Sequence, residues 1–477
     1  MRHERSHTKI IATIGPASSS RDILEKMFRE GVDVCRINFS HGSHQEHLHV
    51  IETVHQLNEE MQTNVAILAD LQGPKLRIGE MRDGTVEIEE GSEYIFVNEP
   101  CIGDEQKAYI SYEPLPQEVK AGEKILVDDG RLTFLVLETN KKDRVVTRVI
   151  EGGSLSTRKG VNLPDTSLTL PGITEKDKVD ARFALDHHVD WMALSFVRRE
   201  QDLLDLKKIV EEHPHQVHVM AKIEKPEALR EIDEIIRAAD GIMVARGDLG
   251  VEVEFHRVPM IQKQIIKQCI QLSKPVVVAT QMMESMIHSP SPTRAEANDV
   301  ANAVLDGADT VMLSGETSVG KFPVQTIRNM QKIIDSTEND EFCFYREHPP
   351  VSESETFLAD SICYNAVMMA KQVGAAAIIT LTFSGYTAFR ISSHRPRAPI
   401  FTFTMNRELI RHLSLVWGVR AFHFEECDDV DRYIDHTLEF LVGEKLLKKG
   451  DLVVHVGSIP ILEKGKTNMM KLTRITG

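Results

Sequence analysis

The stretch VHVMAKIEKPEALREIDEIIRAADGIMVARGDLG, residues 217–250, contains two apolar runs that each end in a carboxylate, Glu224 and Asp248. An amphipathic helical pattern separates the two runs, so the stretch predicts a strand, a helix and a second strand. The right-handed crossover of such a unit places the C-terminal ends of both parallel strands on one rim. Two carboxylates there offer the oxygen ligands that a hard divalent cation takes. Lys222 lies two residues before Glu224, so strand alternation points it into the same space.

Apolar runs that end in polar groups occur eight times in the chain, which predicts a closed (β/α)8 TIM barrel of the α/β class. The runs reach Gly15, Ser40, Leu71, Phe196, Glu224, Asp248, Gln281 and Glu316. Catalytic groups of such barrels lie at the C-terminal ends of the strands. The polar rim residues are Arg36, Asn38, Ser40, Asp70, Ser195, Lys222, Glu224, Asp248, Thr280, Ser314 and Glu316.

Helical periodicity disappears between residues 74 and 170, where segments such as EKILVDDGRLTFLVLE predict antiparallel strands. We therefore expect an inserted β-barrel lid domain, 74–170, within a catalytic barrel that comprises 1–73 and 171–343. An insertion at the catalytic rim suits a lid that closes over substrate and excludes water. The alternative is a passive insertion.

A third region, 344–477, alternates helices and strands and predicts a C-terminal α/β domain with an open sheet. Its turn from Thr382 to Thr387 offers hydroxyl and N–H groups at a helix start, through Thr382, Ser384, Gly385 and Thr387. Such a turn suits a phosphate-sized anion. A plain strand-to-helix turn uses the same residue types, and this segment alone favours neither interpretation.

The composition favours a large soluble protein that binds small molecules. The chain has 477 residues and a formal net charge of −16, which disfavours nucleic acid as a partner. No run approaches the roughly 18 apolar residues of a membrane span, and the start has no secretory core, so we expect a cytoplasmic protein without a membrane partner. The six cysteines form no CxxC pair and are typical of reduced thiols.

Several long motifs resemble the pyruvate kinase family, and the resemblance extends over essentially the whole chain. They are CRINFSHG, KGVNLPD, AKIEKPE, MVARGDLGVE, VVVATQMMESM and SPTRAEANDVANAVLDGADTVMLSGET. The resemblance implies a homotetramer that transfers phosphate from phosphoenolpyruvate to ADP, giving pyruvate and ATP, with Mg²⁺ or Mn²⁺. It also implies a phosphorylated allosteric effector.

Roles for the rim residues follow where the motifs match. Glu224 and Asp248 would hold Mg²⁺, while Lys222 and Arg36 would contact the transferring phosphoryl group. Gly247 and Asp248 would offer N–H groups to the substrate carboxylate, and Ser195 would also bind substrate. Thr280 would lie at the C3 face of the enolate and position the protonating water. Asn38, His41, Arg77 and Lys159 would surround the nucleotide phosphates.

The sequence departs from the family at the monovalent-cation position. Relatives that need K⁺ hold it with residues matching Asn38, Ser40 and Asp70 and with a threonine, where this chain has Leu71. They also carry a glutamate where this chain has Lys75. A tethered ammonium supplies the charge that K⁺ otherwise brings, so we expect no K⁺ requirement. The alternative is that Lys75 is only a solvated hinge residue.

A second departure concerns the effector. Relatives regulated by fructose bisphosphate often carry basic residues where this chain has Phe383 and Tyr386. We therefore expect the effector to be a monophosphate such as AMP or a sugar monophosphate.

Two other classes of function remain open from the sequence. A Mg²⁺-dependent aldolase or lyase would use the same carboxylates but would not need Arg77 and Lys159. A non-catalytic sensor would bind sugar phosphate through the C-terminal domain alone.

Overall fold

The computed structural model describes residues 6–166, 168–425, 429–460 and 467–476. Cys427 lies outside these ranges, and the other five cysteines are free thiols. Within the described ranges no helix combines the length and the apolar character needed to cross a bilayer.

The chain begins with the first three strands of a barrel. Each residue of the first and third strands is buried, as expected for strands covered on both faces. The second helix starts with a capping box in which Ser43 and Glu46 exchange hydrogen bonds. The elements are β1 (Lys9–Thr13), α1 (Arg21–Glu30), β2 (Val34–Asn38), α2 (His44–Met61) and β3 (Ala66–Leu71).

The inserted segment forms the predicted β-barrel, a seven-stranded sheet in the order β4-β12-β8-β9-β10-β6-β7. An antiparallel bridge between Ile78 and Ile110 joins its two edges. Strands β5 and β11 pair separately with each other. The elements are β4 (Leu76–Arg77), β5 (Thr85–Ile88), β6 (Glu93–Val97), β7 (Lys107–Tyr109), α3 (Leu115–Glu118), β8 (Lys124–Val127), β9 (Leu132–Thr139), β10 (Arg144–Glu151), β11 (Gly153–Ser156) and β12 (Gly160–Asn162).

The remaining strands complete the predicted parallel barrel in the closed order β1-β17-β16-β15-β14-β13-β3-β2. These strands are buried apart from His218 at the start of β14, and a helical segment follows each of them. The elements are α4 (Glu175–Asp186), β13 (Trp191–Leu194), α5 (Glu200–Glu211), β14 (His218–Ile223), α6 (Pro226–Arg230), α7 (Ile232–Ala238), β15 (Gly241–Ala245), α8 (Arg246–Glu252), α9 (Val258–Gln271), β16 (Val276–Ala279), α10 (Arg294–Asp306), β17 (Thr310–Leu313), α11 (Gly315–Ser318) and α12 (Pro323–Thr337).

The interior of the barrel is a packed core, not a pore. Alternate strand residues such as Trp191, Met220 and Met243 fill it, and Leu415 of the C-terminal domain joins the same cluster at the N-terminal end. There the indole N–H of Trp191 donates to the carbonyl of His412 at 3.2 Å. The barrel floor is thus closed by the C-terminal domain, which leaves the opposite rim for chemistry.

The C-terminal domain is the predicted open α/β layer, with a five-stranded sheet in the order β20-β19-β18-β21-β22. Its last strand is antiparallel and was not expected from the sequence, since MMKLTR mixes apolar and charged residues. The elements are α13 (Phe357–Val373), β18 (Ala377–Leu381), α14 (Tyr386–Ser393), β19 (Ile400–Thr404), α15 (Arg407–His412), β20 (Val419–His423), α16 (Val430–Gly443), β21 (Leu452–Gly457) and β22 (Met469–Arg474).

Candidate active site

Asp70, at the end of β3, is the anionic centre of the rim. Its Oδ2 accepts a hydrogen bond from Nε of Arg36 at 2.6 Å, and its Oδ1 lies 3.2 Å from Nζ of Lys222. Burial favours the neutral acid, but Lys222 and Arg36 outweigh it and lower the pKa of Asp70. A second guanidinium N–H of Arg36 donates to Oγ1 of Thr13. Arg36 and Lys222 are therefore held side by side at the rim.

Lys222 is fixed by three oxygen-bearing side chains. Besides Asp70, its ammonium donates to Oγ of Ser195 at 2.7 Å and lies 3.0 Å from Oε1 of Glu224. Burial would lower the pKa of Lys222, but the charges of Asp70 and Glu224 outweigh it and raise that pKa above its ordinary value. The ammonium is therefore charged and can stabilise negative charge at the rim.

Glu224 and Asp248 follow adjacent strands, as predicted. Oε2 of Glu224 accepts the backbone N–H of Phe196 at 2.6 Å, which leaves Oε1 on the Lys222 side. Burial raises the pKa of Glu224, and Asp248 adds to the rise despite the opposing charge of Lys222. The side chain of Asp248 is 30% exposed and lies 3.7 Å from Nζ of Lys75.

These two carboxylates fit a magnesium site. Mg²⁺ is usually held by one or two carboxylates and completed by water and substrate oxygens. No group of three or more His, Cys, Asp or Glu side chains suited to a metal occurs among the described residues. Glu224 and Asp248 are such a small donor set, and they leave positions for oxygens of water and substrate.

Thr280 and the start of α8 are joined directly. The N–H of Gly247 donates to Oγ1 of Thr280 at 2.7 Å, and that hydroxyl donates to the carbonyl of Ala279 at 2.6 Å. Thr280 has a φ of 70°, a strained conformation for a β-branched residue. Arg246 donates to the carbonyl of Thr280 and pairs with Asp299. One of the two N–H groups expected to face a substrate carboxylate is thus already bonded to Thr280.

Of the four residues expected at the nucleotide, Asn38 and His41 lie at the end of β2 in the barrel, and Arg77 and Lys159 lie in the inserted segment. Burial lowers the pKa of His41, and the charges of Arg77, Lys75 and Arg36 lower it further. Arg77 donates to the carbonyl of Arg158 at 3.0 Å. Lys159 is held at 2.8 Å by Asp128 in the lid. Asn38 accepts the N–H of Ser40 at 3.0 Å.

A cleft of about 770 Å³ opens between the inserted segment and helices α8, α9 and α10 of the barrel. Lys75 and Asp129 line it from the inserted segment, and Gly247 and Asp248 line it from the barrel. The four residues expected at the nucleotide do not line this cleft. Its size lies within the usual range for pockets that hold a small molecule. The charged rim residues thus open onto a space that could accept substrates.

The expected monovalent-cation position is already rich in protein cations. Asp70 contacts Arg36 and Lys222, and the carbonyl of Leu71 accepts a hydrogen bond from Ser195 at 2.7 Å. The side chain of Leu71 is fully buried. Lys75, expected to replace a bound K⁺ near Asp70, instead pairs with Asp248 and lies 5.7 Å above the ring of Phe196.

The predicted effector turn connects β18 to α14 in the C-terminal domain. Oγ1 of Thr382 accepts the N–H of Gly385 at 3.0 Å, and Gly385 has a φ of 87°. Thr387 is bonded to Thr467 at 2.8 Å, and Ser384 receives the N–H of Tyr386 at 3.5 Å. The turn is thus preorganised, and it lies in a different domain from the rim.

Some rim residues have purely structural contacts, and others were missed. Glu316 accepts the N–H groups of Met283 and Ser314, so it holds two loops together. Thr13, which fixes Arg36, was missed although it ends β1 and the rule of strand ends would have included it. Asp128 was missed because it lies in a lid turn, where no strand end signals its position.

Comparisons with known proteins agree along the chain. The family model described as "Pyruvate kinase, barrel domain" matches residues 5–327, and "Pyruvate kinase, alpha/beta domain" matches residues 360–473. A pyruvate kinase of Geobacillus stearothermophilus is 43% identical over 472 residues, which cover 98% of this chain and 80% of that protein. One of Staphylococcus aureus is 41% identical over 466 residues, with the same two coverages, 98% and 80%.

A solved structure extends the agreement to the fold. A crystal structure of a pyruvate kinase from Cryptosporidium parvum, 35% identical, has a TM-score of 0.92 and covers 98% of this chain and 96% of that one. The barrel, the lid and the C-terminal layer therefore occur together in a relative. Members of this family transfer the phosphoryl group of phosphoenolpyruvate to ADP in glycolysis, and they generally need Mg²⁺ and usually K⁺. On sequence and on fold, this chain belongs to the pyruvate kinase family.

Proposed function

We propose that Lys222 and Arg36 bind the phosphoryl group of phosphoenolpyruvate and stabilise it during transfer to ADP. The observation that carries this assignment is the buried cluster in which Asp70 holds both cations at one point of the rim. Phosphoryl transfer depends on positioning and on charge neutralisation more than on covalent help. Two cations fixed before the substrate arrives need little reorganisation during the reaction.

Glu224 and Asp248 would hold Mg²⁺, with Mn²⁺ as a substitute. When bound there, the metal would supply positive charge to the phosphate and enolate oxygens of the substrate. Lys222 contacts Glu224 directly, so its ammonium would lie close to the same phosphate and enolate oxygens. Ser195 orients that ammonium through its hydroxyl.

Thr280 and Gly247 would position the three-carbon part of the substrate. The substrate carboxylate would approach the N–H of Asp248 and would take the N–H of Gly247 from Thr280, whose hydroxyl accepts it in this structure. The hydroxyl of Thr280 would hold the water that protonates C3 of the enolate. The hydrogen bond from that hydroxyl to the carbonyl of Ala279 fixes its direction.

Asn38, His41, Arg77 and Lys159 would bind the phosphates of ADP or ATP. The last two come from the lid, so lid closure would bring positive charge to the nucleotide. Lys159 is restrained by Asp128 until a phosphate competes for it. The cleft of about 770 Å³ provides space next to Asp248 of the proposed metal site.

Lys75 would make bound K⁺ unnecessary. Its ammonium adds one fixed positive charge within reach of Asp248, independently of salt concentration. The contact with Asp248 supports an action on the metal carboxylate, not replacement of K⁺ beside Asp70, Asn38, Ser40 and Leu71. The enzyme would therefore keep its activity in buffers that lack K⁺.

The whole enzyme would be a cytoplasmic homotetramer whose regulation acts through the C-terminal domain. A phosphorylated effector, a monophosphate, would bind the turn that contains Thr382, Ser384, Gly385 and Thr387. The preorganised turn at the start of α14 supports this assignment. We place the domain boundaries at 1–73 and 171–343 for the barrel, 74–170 for the lid and 344–477 for the C-terminal domain.

Coupled formation of pyruvate tests the assignment. Phosphoenolpyruvate and ADP are mixed with the enzyme, and lactate dehydrogenase reports pyruvate, with and without Mg²⁺. We expect turnover that requires the metal and that Glu224→Gln abolishes. Activity of Glu224→Gln equal to that of the wild type would remove this carboxylate from the metal site.

A further inference from the structure

A buried ion pair connects the base of the lid to the two metal carboxylates. Lys225, which follows Glu224, contacts Oε1 of Glu252. The side chain of Glu252 is completely buried and that of Lys225 is 10% exposed. Asn162, the last residue of β12 in the lid, donates its amide to the same oxygen of Glu252 at 2.7 Å. We call Lys225, Glu252 and Asn162 the hinge latch.

The latch lies at a point where three functional segments meet. Glu252 follows Asp248 by four residues on α8, so both lie on one face of that short helix. Lys225 is the neighbour of Glu224 at the end of β14. The lid enters through Asn162, three residues after Lys159. A displacement of the lid therefore acts directly on the helix that carries Asp248.

The same region anchors both connections of the lid. Arg198 donates to the carbonyls of Leu168 and Leu170 in the returning connection. In the outgoing connection, the ammonium of Lys75 lies over the ring of Phe196. The ammonium of Lys225, which follows β14, lies 5.9 Å from the centroid of the same ring. A cavity of only about 20 Å³ remains between these groups. The hinge is thus tightly packed around the latch.

Stability alone does not explain charged groups at this place. A buried ion pair loses about as much in desolvation as it gains, and apolar residues of similar volume often stabilise a protein equally well. Oε2 of Glu252 is also buried without a hydrogen-bond partner, which is costly. A role in holding the Glu252 carboxylate in a fixed direction toward the lid would account for both the buried ion pair and the unpaired Oε2.

We propose that the hinge latch positions the lid for ADP, with Asn162, Lys225 and Glu252 as positioning residues. Lys225 orients the carboxylate of Glu252, and the amide of Asn162 holds the lid against the same carboxylate oxygen. This inference rests on the proposed contact of Arg77 and Lys159 with the nucleotide. Loss of the latch should weaken ADP binding more than it weakens binding of phosphoenolpyruvate, which contacts the barrel.

The decisive variant is Asn162→Ala, which removes the lid side of the latch and leaves the ion pair in place. We expect KM for ADP to rise on the order of tenfold, the scale of one lost hydrogen bond to a charged group. KM for phosphoenolpyruvate should change less than about twofold. Hydrogen exchange of the connections, residues 72–76 and 168–172, should become faster because the lid is less firmly seated.

Asn98→Ala is the matched control. Asn98 also lies in the lid, but its amide donates to the carbonyls of Glu113 and Lys142 within the lid. It should lower stability without changing KM for ADP or exchange at the connections. Equal effects of the two variants, or unchanged KM for ADP in a folded Asn162→Ala, would overturn the latch. If Asn162→Ala does not fold, Asn162→Ser serves as the smaller change under the same criteria.

Two further measurements separate the latch from the nucleotide assignment. In a double-mutant cycle, Asn162→Ala and Glu252→Gln should together raise KM for ADP by less than the product of their single effects. Independent effects would contradict a shared contact. Lys159→Ala tests the nucleotide site alone, so a normal Asn162→Ala beside an impaired Lys159→Ala refutes only the latch. A normal Lys159→Ala refutes the assignment of Lys159 to the nucleotide site.

Discussion

The ammonium of Lys75 lies 3.7 Å from Oδ1 of Asp248, while Asp70 pairs with Arg36 and Lys222. A protein cation thus lies beside one of the two carboxylates proposed for Mg²⁺, at the point where the lid leaves the barrel. The contact places one fixed positive charge beside a rim carboxylate.

The first prediction concerns the monovalent cation. With Mg²⁺ in tetramethylammonium or Tris buffers, kcat of the wild type should equal its value with K⁺. Lys75→Glu should gain K⁺ dependence, because it removes the fixed charge and adds a carboxylate. Steady-state rates across K⁺ concentrations measure this. A tenfold or larger fall in wild-type kcat without K⁺, about 1.4 kcal/mol of barrier, would refute the internal cation.

The second prediction concerns Lys222. Lys222→Met should lower kcat by on the order of 10²–10³ or more, with little change in KM for phosphoenolpyruvate, since the charge acts mainly in the transition state. Lys208→Met, on an exposed part of α5, is the control and should retain wild-type rates. A Lys222→Met enzyme with more than about half of wild-type kcat would exclude Lys222 from the mechanism.

The third prediction concerns the effector turn. A sugar monophosphate or AMP should activate the enzyme at subsaturating phosphoenolpyruvate, because Phe383 and Tyr386 provide no basic group for a second phosphate. In Ser384→Ala the concentration for half-activation should rise, since one hydroxyl is lost. Titration of initial rates measures both. Strong activation by fructose 1,6-bisphosphate with no response to monophosphates would refute a monophosphate as the effector.

The fourth prediction concerns pH and the histidines beneath the barrel. Burial lowers the pKa of His394 to about 3, helped by the neighbouring His348, Arg390 and Arg395. The rings of His394 and His348 are stacked with their centroids 4.0 Å apart. Neither ring nitrogen of His394 has a hydrogen-bond partner. Because the folded pKa lies below the ordinary value of 6.5, the neutral ring contributes stability that is lost as pH falls below about 6.5.

At pH 5 one such group costs about 2 kcal/mol relative to pH 7. His394→Phe should keep the stacking and reduce the fall in Tm between pH 7 and pH 5. His436→Phe, on the exposed side of α16, should leave that fall unchanged. Scanning calorimetry at the two pH values measures these changes in Tm. An identical fall in Tm in the wild type and in His394→Phe would mean that other groups control acid stability.

The barrel could be predicted well because each of its strands is marked by a local pattern of residues. Each strand is an apolar run that ends in a polar residue, so Lys222, Glu224 and Asp248 could be assigned to one rim before any coordinates. The pairing of β5 with β11 could not be predicted, since more than sixty residues separate Ile88 from Gly153. The partners of Lys75, Lys159 and Lys225 were also missed, because each lies on a loop or helix placed by tertiary packing.

The pairing of β1 with β17 joins Lys9 to Thr310, so the barrel closes between residues that are far apart in synthesis. At ribosomal rates of about 5–20 residues per second, β1 waits roughly 15–60 s for β17, its last partner. The lid, whose strands pair between Leu76 and Asn162, completes itself within that interval. The nascent chain thus carries a finished small domain beside an open sheet, whose exposed edges are the part that chaperones would need to shield.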